Sequence, residues 1–176
     1  MRRMLFGLAV GLLTFAGSAW ADGAIVRWDQ VIGNTGTEAD SPYLIVAGIL
    51  SSPRWFFVSG GRVMLNLGTG FVSIKIDGIS RAHHNPGAPN VMGSSVESDA
   101  RGLIVCNSSE RYGTPTVIPT DEFVVVDGDV SYSGVLALTD DCRQHPKDLV
   151  FLLQLAHANG TYGIAWHAFG ADRHIR

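Results

Sequence analysis

The chain lacks the short motifs by which most catalytic sites are recognised in a sequence. It contains no Gly-x-Ser-x-Gly, no His-Glu-x-x-His, no Ser-x-x-Lys and no glycine-rich phosphate loop. These absences remove the sequence support for serine hydrolases, for helix-borne zinc hydrolases and for enzymes that cradle a nucleotide phosphate. The sequence therefore predicts no catalytic residue and favours a non-catalytic protein.

Basic clusters and long apolar runs are also missing. The chain carries 13 Lys and Arg against 16 Asp and Glu, a net charge of −3, and no basic cluster for nucleic acid or an anionic membrane. After the N-terminal region, the longest apolar run is Leu149–Leu155, which Gln154 interrupts. A bilayer needs about 20 apolar residues. We therefore expect no nucleic-acid partner and no membrane span in the mature protein.

The N-terminus has the order of features that is typical of an export signal. Arg2 and Arg3 precede an apolar run, Met4–Phe15, and Ala19-Trp20-Ala21 places small residues where a signal peptidase reads them. The pattern predicts a signal peptide over 1–21, cleavage after Ala21, and one domain over 22–176. That domain keeps 11 basic residues, a net charge of −5. We expect the protein to be secreted or periplasmic.

Cysteine is scarce, but the count is even. Cys106 and Cys142 are the two cysteines, and in an exported chain such a pair predicts a disulfide. The two cysteines are 36 residues apart, and closing a loop of that length with a disulfide stabilises a fold by about 3–4 kcal/mol in the chain-entropy model. The alternative, a reactive thiol or metal pair, lacks both a Cys-x-x-Cys and a histidine at ligand spacing.

Apolar residues mostly recur with a period of two, which indicates strands. Phe71–Ile79 alternates most clearly. Two turn dipeptides, Asp127-Gly128 and Asn159-Gly160, each separate strand-like segments and predict tight hairpins, because both tolerate the positive φ of a type I′ turn. No helical stripe follows the signal peptide. We predict an all-β fold, an antiparallel β-sandwich of about 8–10 short strands without helices.

From Phe71 onward the chain resembles a group of small exported bacterial proteins of unknown activity. The matching segments are Ile76–Ile79, the loop Asn85–Gly87, Leu103–Cys106, Gly128–Val130, Cys142 with Pro146, and Tyr162–Trp166. They span about 100 residues, and the paired cysteines are the most specific part. The resemblance implies a secreted β-sandwich with a disulfide and implies no activity. In that group Gly or Asn stands where this chain has His83 and His84.

The adjacent histidines His83 and His84 are the main candidates for a ligand or metal site. Neighbours on a strand point to opposite faces, so both can reach one ion only from an irregular loop. Further ligands would come from elsewhere in the chain, namely His145, His157, His167, Glu97 or Asp99. The other interpretation is a solvated polar loop. Paired acids elsewhere (Asp127 with Asp129, Asp140 with Asp141) are interpreted as turn and strand-end residues rather than calcium ligands.

Three functions remain open at this point. The first is a secreted or periplasmic non-catalytic module that binds an extracytoplasmic protein or a small ligand, with no cofactor. The second is a metal-binding protein or metal-dependent enzyme that uses His83, His84 and a further histidine such as His167. The third is an assembly subunit, which would need an exposed apolar strand edge.

Overall fold

The computed structural model describes 23–34, 45–50, 56–83, 91–108, 114–156, 159–162 and 166–176. The expected signal peptide, 1–21, lies outside these residues. For a few residues only the backbone is described: Ile45, Leu50, Ala82, His83, Val91 and Met92. Within the described ranges, no helix has both the length and the apolar character needed to cross a bilayer.

Fourteen strands and one short α-helix form the described part of the chain. The strands are β1 (Ile25–Gly33), β2 (Ile45–Val46), β3 (Ile49–Leu50), β4 (Phe56–Phe57), β5 (Gly60–Asn66), β6 (Phe71–Asp77), β7 (Ser80–His83), β8 (Val91–Ser95), β9 (Ser98–Cys106), β10 (Thr116–Pro119), β11 (Phe123–Val125), β12 (Val130–Val135), β13 (Val150–Leu155) and β14 (Ala168–Ile175). The helix, α1, covers Asp140–Gln144, and a 3₁₀ turn covers Pro146–Asp148.

Nine strands form one curled antiparallel sheet. Its order is β10-β9-β13-β14-β1-β5-β6-β12, and β11 pairs with β9 beside β10. A turn joins β11 to β12, with a bridge between Val126 and Asp129, so the two ends of the sheet meet at this turn. Two small sheets, β2-β3 and β4-β7-β8, accompany the large one. The all-β, antiparallel prediction is confirmed.

Opposite halves of the curled sheet provide the facing layers of the core. A Cβ placed on Gly102 of β9 would lie 2.8 Å from Cδ1 of Ile74 on β6 and 3.0 Å from the ring of Phe151 on β13. The ring of Trp28 lies 6.2 Å from that of Phe151. The predicted alternation of β6 holds, because its inward residues are fully buried: Val72, Ile74 and Ile76.

A second apolar cluster lies on the outer face of β9, β13 and β14. It consists of Leu103, Val105, Leu152 and Trp166, with residues of the β2–β3 hairpin packed over it. The indole Nε1 of Trp166 donates a hydrogen bond of 2.9 Å to the carbonyl oxygen of Ile49. The hairpin therefore covers an outer face that would otherwise expose apolar side chains.

The turn of the first predicted hairpin is confirmed, but its strands pair only at Val126 and Asp129. The register of the second predicted hairpin is wrong. Asp127 and Gly128 both have positive φ, 52° and 85°, as a type I′ turn requires. β13 and β14 do pair, but β14 begins at Ala168, opposite Leu153, so a long connection containing Asn159-Gly160 replaces the tight turn.

The prediction that the domain contains no helix is also wrong. α1 is little more than one turn long, which is too short for a 3.6-residue apolar pattern to appear in the sequence. Asp140 and Asp141 occupy its first turn, where negative charge stabilises a helix N-terminus. The helix carries the buried Cys142.

Candidate functional site

Of the three candidate histidines His83, His84 and His167, only His167 has a described side chain, and it is buried. Its Nδ1 accepts a hydrogen bond of 3.1 Å from the backbone N–H of Leu155, and its backbone N–H donates to the carbonyl of Leu153 at 2.8 Å. Phe56 packs edge-on against the imidazole at 4.9 Å. At the point where the pairing of β13 with β14 ends, the imidazole therefore accepts the hydrogen bond that a backbone carbonyl would otherwise accept. This is a structural role.

The predicted site of three histidines lies partly outside the described residues. His83 ends β7 and its side chain is not described, while His84 lies outside the described residues. Among the residues that are described, no three His, Cys, Asp or Glu are grouped so as to hold a metal ion. The metal site at His83, His84 and His167 stays a prediction.

Cys106 and Cys142 form the expected disulfide, with their Cα atoms 5.0 Å apart. Cys106 ends β9 and pairs with Thr116, the first residue of β10. Cys142 lies on α1, which follows β12 along the chain. The covalent bond therefore links the segment after β12 to the opposite end of the curled sheet. The disulfide is the part of the sequence-based site that is confirmed.

Between that disulfide and the Val126–Asp129 turn, the ends of the sheet are not joined by a ladder. Val126 and Asp129 exchange two backbone hydrogen bonds, at 3.0 and 2.8 Å. Beyond this pair, β11 turns away to pair with β9 over Phe123–Val125. No other described strand pairs with that side of β12.

The side of β12 that is left unpaired can be assigned residue by residue. The backbone N–H of Leu136 donates to Gly70 at 2.9 Å, and hydrogen-bonded positions alternate along an antiparallel strand. The backbone groups of Ser131, Ser133 and Val135 therefore point away from β6. We call these outward-facing groups the β12 edge.

The side chains along the β12 edge are uncharged and exposed. From Val130 to Thr139, buried or half-buried positions alternate with exposed ones, and the exposed set is Ser131, Ser133, Val135, Ala137 and Thr139. Val135 is 71% exposed, and Val124 and Val126, on the β11 side of the junction, are 60% and 59% exposed. Exposed apolar side chains thus lie at both ends of the unpaired stretch, with Ser131 and Ser133 between them.

Tyr132 fills the interior where β11 and β12 separate. Its ring lies 4.9 Å from that of Phe123 and extends over Gly134, where an added Cβ would lie 2.2 Å from the phenol oxygen. Burial and the negative charge of Asp121 raise the pKa of Tyr132 above its usual value of 10.0, and the backbone N–H of Asp121 offsets part of this shift. The Phe123–Tyr132 pair, which we call the aromatic seal, covers the core at this point, although the backbone of β11 pairs with β9 and not with β12.

A polar cluster on the outer face of β9 is another group of interacting side chains. Arg101 donates from Nε to Gln154 at 2.9 Å, and its guanidinium lies 4.3 Å above the ring of Tyr162. Burial and the charges of Glu122 and Asp99 raise the pKa of Tyr162, and Arg101 opposes them. The cluster fixes the outer surface of the sheet, and it offers no nucleophile activated by a neighbouring base.

Sequence reasoning missed the β12 edge, although one signal was present. Positions 130–139, VSYSGVLALT, contain no charged residue and no proline, which is unusual for an edge strand. The sequence does not reveal that β11 leaves β12 for β9. No protein-family model, curated protein or solved structure matches the chain.

Proposed function

We propose that the protein is a non-catalytic binding module that acts outside the cytoplasm and recognises its partner at the β12 edge. The observation that carries this proposal is the combination of unpaired backbone groups at Ser131, Ser133 and Val135 with the exposed valines beside them. Exposed apolar side chains next to hydrogen-bonding backbone groups are characteristic of interaction sites.

The two outer strands of the sheet differ in how they are protected. β10 ends in Pro119, which has no backbone N–H, and proline is a usual way to keep an edge strand from pairing. β12 has no proline, no lysine and no covering strand among the described residues. A strand edge left open in this way supports a binding role.

Action outside the cytoplasm is supported by two features. The order of charge, apolar run and small residues at the N-terminus is that of an export signal, and the Cys106–Cys142 disulfide is of the kind that persists in oxidising compartments. If the protein is exported, intact mass measurement of the mature form will give a chain that starts at Asp22 and is two hydrogens lighter than its reduced form.

Site-specific photo-crosslinking tests the binding role. A photoreactive amino acid at Val135, in the full chain produced in a bacterium that exports it, is expected to form an adduct with another polypeptide. The same amino acid at Asp172, an exposed position on β14, which lies four strands from β12 in the sheet order, is the matched control. Equal adducts from both positions, or none from Val135, would contradict the proposal.

A further inference from the structure

We propose that the β12 edge binds an extended, positively charged segment of another polypeptide as an added antiparallel strand. This inference rests on the proposed function and specifies the chemistry of the partner. The outward groups of Ser131, Ser133 and Val135 recur every second residue, about 6.8 Å apart, which is the spacing at which an antiparallel strand presents its own hydrogen-bonding groups.

The exposed side chains define what the middle of the added strand contains. Ser131, Ser133 and Val135 are small or apolar and exposed, and Phe71, opposite Val135 on β6, is also partly exposed. Cross-strand pairs of aliphatic and aromatic side chains stabilise a sheet. We infer small or aliphatic residues at alternate positions of the bound segment.

The charges around β12 define the ends of that segment. Between Arg111 and Arg143 the sequence has no Lys, Arg or His and has six carboxylates, at Asp121, Glu122, Asp127, Asp129, Asp140 and Asp141. Asp127 and Asp129 precede β12, and Asp140 and Asp141 follow it. The basic residue opposite Ser131, Lys75 on β6, lies 4.0 Å from the carboxylate of Asp77. Arg143 lies 3.7 Å from the carboxylate of Asp140 and offsets part of its charge. With Asp127 and Asp129 before β12 and Asp141 after it, both ends of the edge still carry negative charge and favour Lys or Arg.

The same charges argue against a second copy of this chain as the occupant. If two β12 strands paired antiparallel about Ser133, Asp129 of one copy would lie opposite Ala137 of the other, and Asp127 would lie opposite Thr139. Asp140 would follow directly after that position. Carboxylates from the two copies would then approach at both ends of the added pair, and like charges across a sheet are destabilising. A cationic segment meets attraction at the same places.

Synthetic peptides test this inference directly. The probe is a fluorescently labelled peptide of alternating Lys and Val. It is compared with a Glu–Val peptide and with a Lys–Val peptide whose backbone amides are all N-methylated, which cannot donate ladder hydrogen bonds. We expect only the unmethylated Lys–Val peptide to raise the anisotropy on binding. Its affinity should fall at 0.5 M salt, since exposed ion pairs are screened. On binding, amide hydrogen exchange at Ser131, Ser133 and Val135 should slow.

Two variants separate edge binding from general charge attraction. Ser133→Pro removes one outward N–H without touching the ladder to β6, and we expect roughly tenfold weaker binding. Val135→Lys adds a repelling charge at an exposed position, leaves the core intact, and is also expected to weaken the Lys–Val peptide. Asp172→Asn on β14 removes a carboxylate distant from the edge and serves as the control. Melting temperatures confirm that each variant is folded.

Several results would overturn the inference: equal binding of the Glu–Val and Lys–Val peptides, unchanged binding in folded Ser133→Pro or Val135→Lys, or dimers in sedimentation whose β12 edge is protected from exchange. If Val135 crosslinks to a partner while the Lys–Val peptide fails, the proposed function stands and the cationic strand is wrong. If neither occurs, both are wrong.

Discussion

Two junctions of the curled sheet, one in its middle and one where its ends meet, are built differently. At the β1–β14 junction, seven residue pairs are in register, and backbone hydrogen bonds of 2.9 and 3.0 Å join Ile25 to Arg176 at its end. At the β11–β12 junction the backbones are bonded at a single residue pair, Val126 with Asp129. The covalent link between the segment after β12 and the other end of the sheet is the Cys106–Cys142 disulfide.

The difference shows two ways of holding neighbouring strands. A ladder joins strands by satisfying their backbone groups, so a fully paired strand has none left to offer. A disulfide holds distant segments together without consuming a single backbone hydrogen bond. The β11–β12 junction is therefore held in place and still presents an unpaired strand edge.

The largest expected loss of stability lies at the paired junction. Trp28 on β1 is fully buried and packs so closely over Gly170 of β14 that an added Cβ there would lie 2.7 Å from the indole. We expect Trp28→Ala to lower the free energy of unfolding by about 3–5 kcal/mol. Urea denaturation measures it, and a loss below about 1 kcal/mol would show that this junction does not anchor the fold.

Removing the disulfide should lower the free energy of unfolding slightly less than Trp28→Ala does, and it should loosen mainly β12. In Cys106→Ala/Cys142→Ala we expect the free energy of unfolding to fall by about 3–4 kcal/mol. Under conditions where the variant stays folded, amide exchange should accelerate along β12 before it does along β1 and β14. Uniform acceleration in all three strands would contradict the view that the disulfide braces this junction.

Gly134 tests the aromatic seal between β11 and β12. A methyl group at this position would meet the phenol of Tyr132, so Gly134→Ala should displace that ring and cost about 1–3 kcal/mol. The control is Gly134→Ala combined with Tyr132→Ala, in which the added methyl has no phenol to meet. If Gly134→Ala costs as much in the Tyr132→Ala background as it does alone, the cost comes from the backbone and the seal is not involved.

The smallest expected effect concerns the protonation of Tyr132. Because burial and Asp121 raise its pKa, the folded protein keeps the phenol proton at a pH where the unfolded chain loses it. The free energy of unfolding should therefore fall as the pH rises above 10 toward the folded pKa. Asp121→Asn should lower the Tyr132 pKa, as followed by ultraviolet titration, and an unchanged or higher pKa would place Asp121 away from the phenol.

Much of the sheet could be predicted because its signals are local. The alternation of Phe71–Ile79, the Asp127-Gly128 turn and the two cysteines each act within a few residues or by count, and the structure contains all three. The prediction of a tight Asn159-Gly160 hairpin was wrong, since β14 begins at Ala168 opposite Leu153. There the imidazole of His167 accepts the backbone N–H of Leu155, a contact that no local sequence pattern indicates.

The candidate site depended on long-range pairing and was therefore missed. β11 can bond to β12 through the turn or to β9, more than 20 residues earlier in the chain, and both choices suit an apolar segment such as Phe123–Val125. The choice of β9 is what exposes the β12 edge. The sequence indicated the histidines His83 and His84 instead, because side-chain chemistry can be read from a sequence and an unpaired backbone cannot.

Residue-resolved amide hydrogen exchange of β12 in the disulfide-bonded protein tests the central claim most directly. With one side paired to β6 and the other open, the amides of Tyr132 and Gly134 should exchange slowly, and those of Ser131, Ser133 and Val135 should exchange rapidly. Slow exchange at all five positions would show that a partner strand already covers the edge, and the proposed binding surface would not exist.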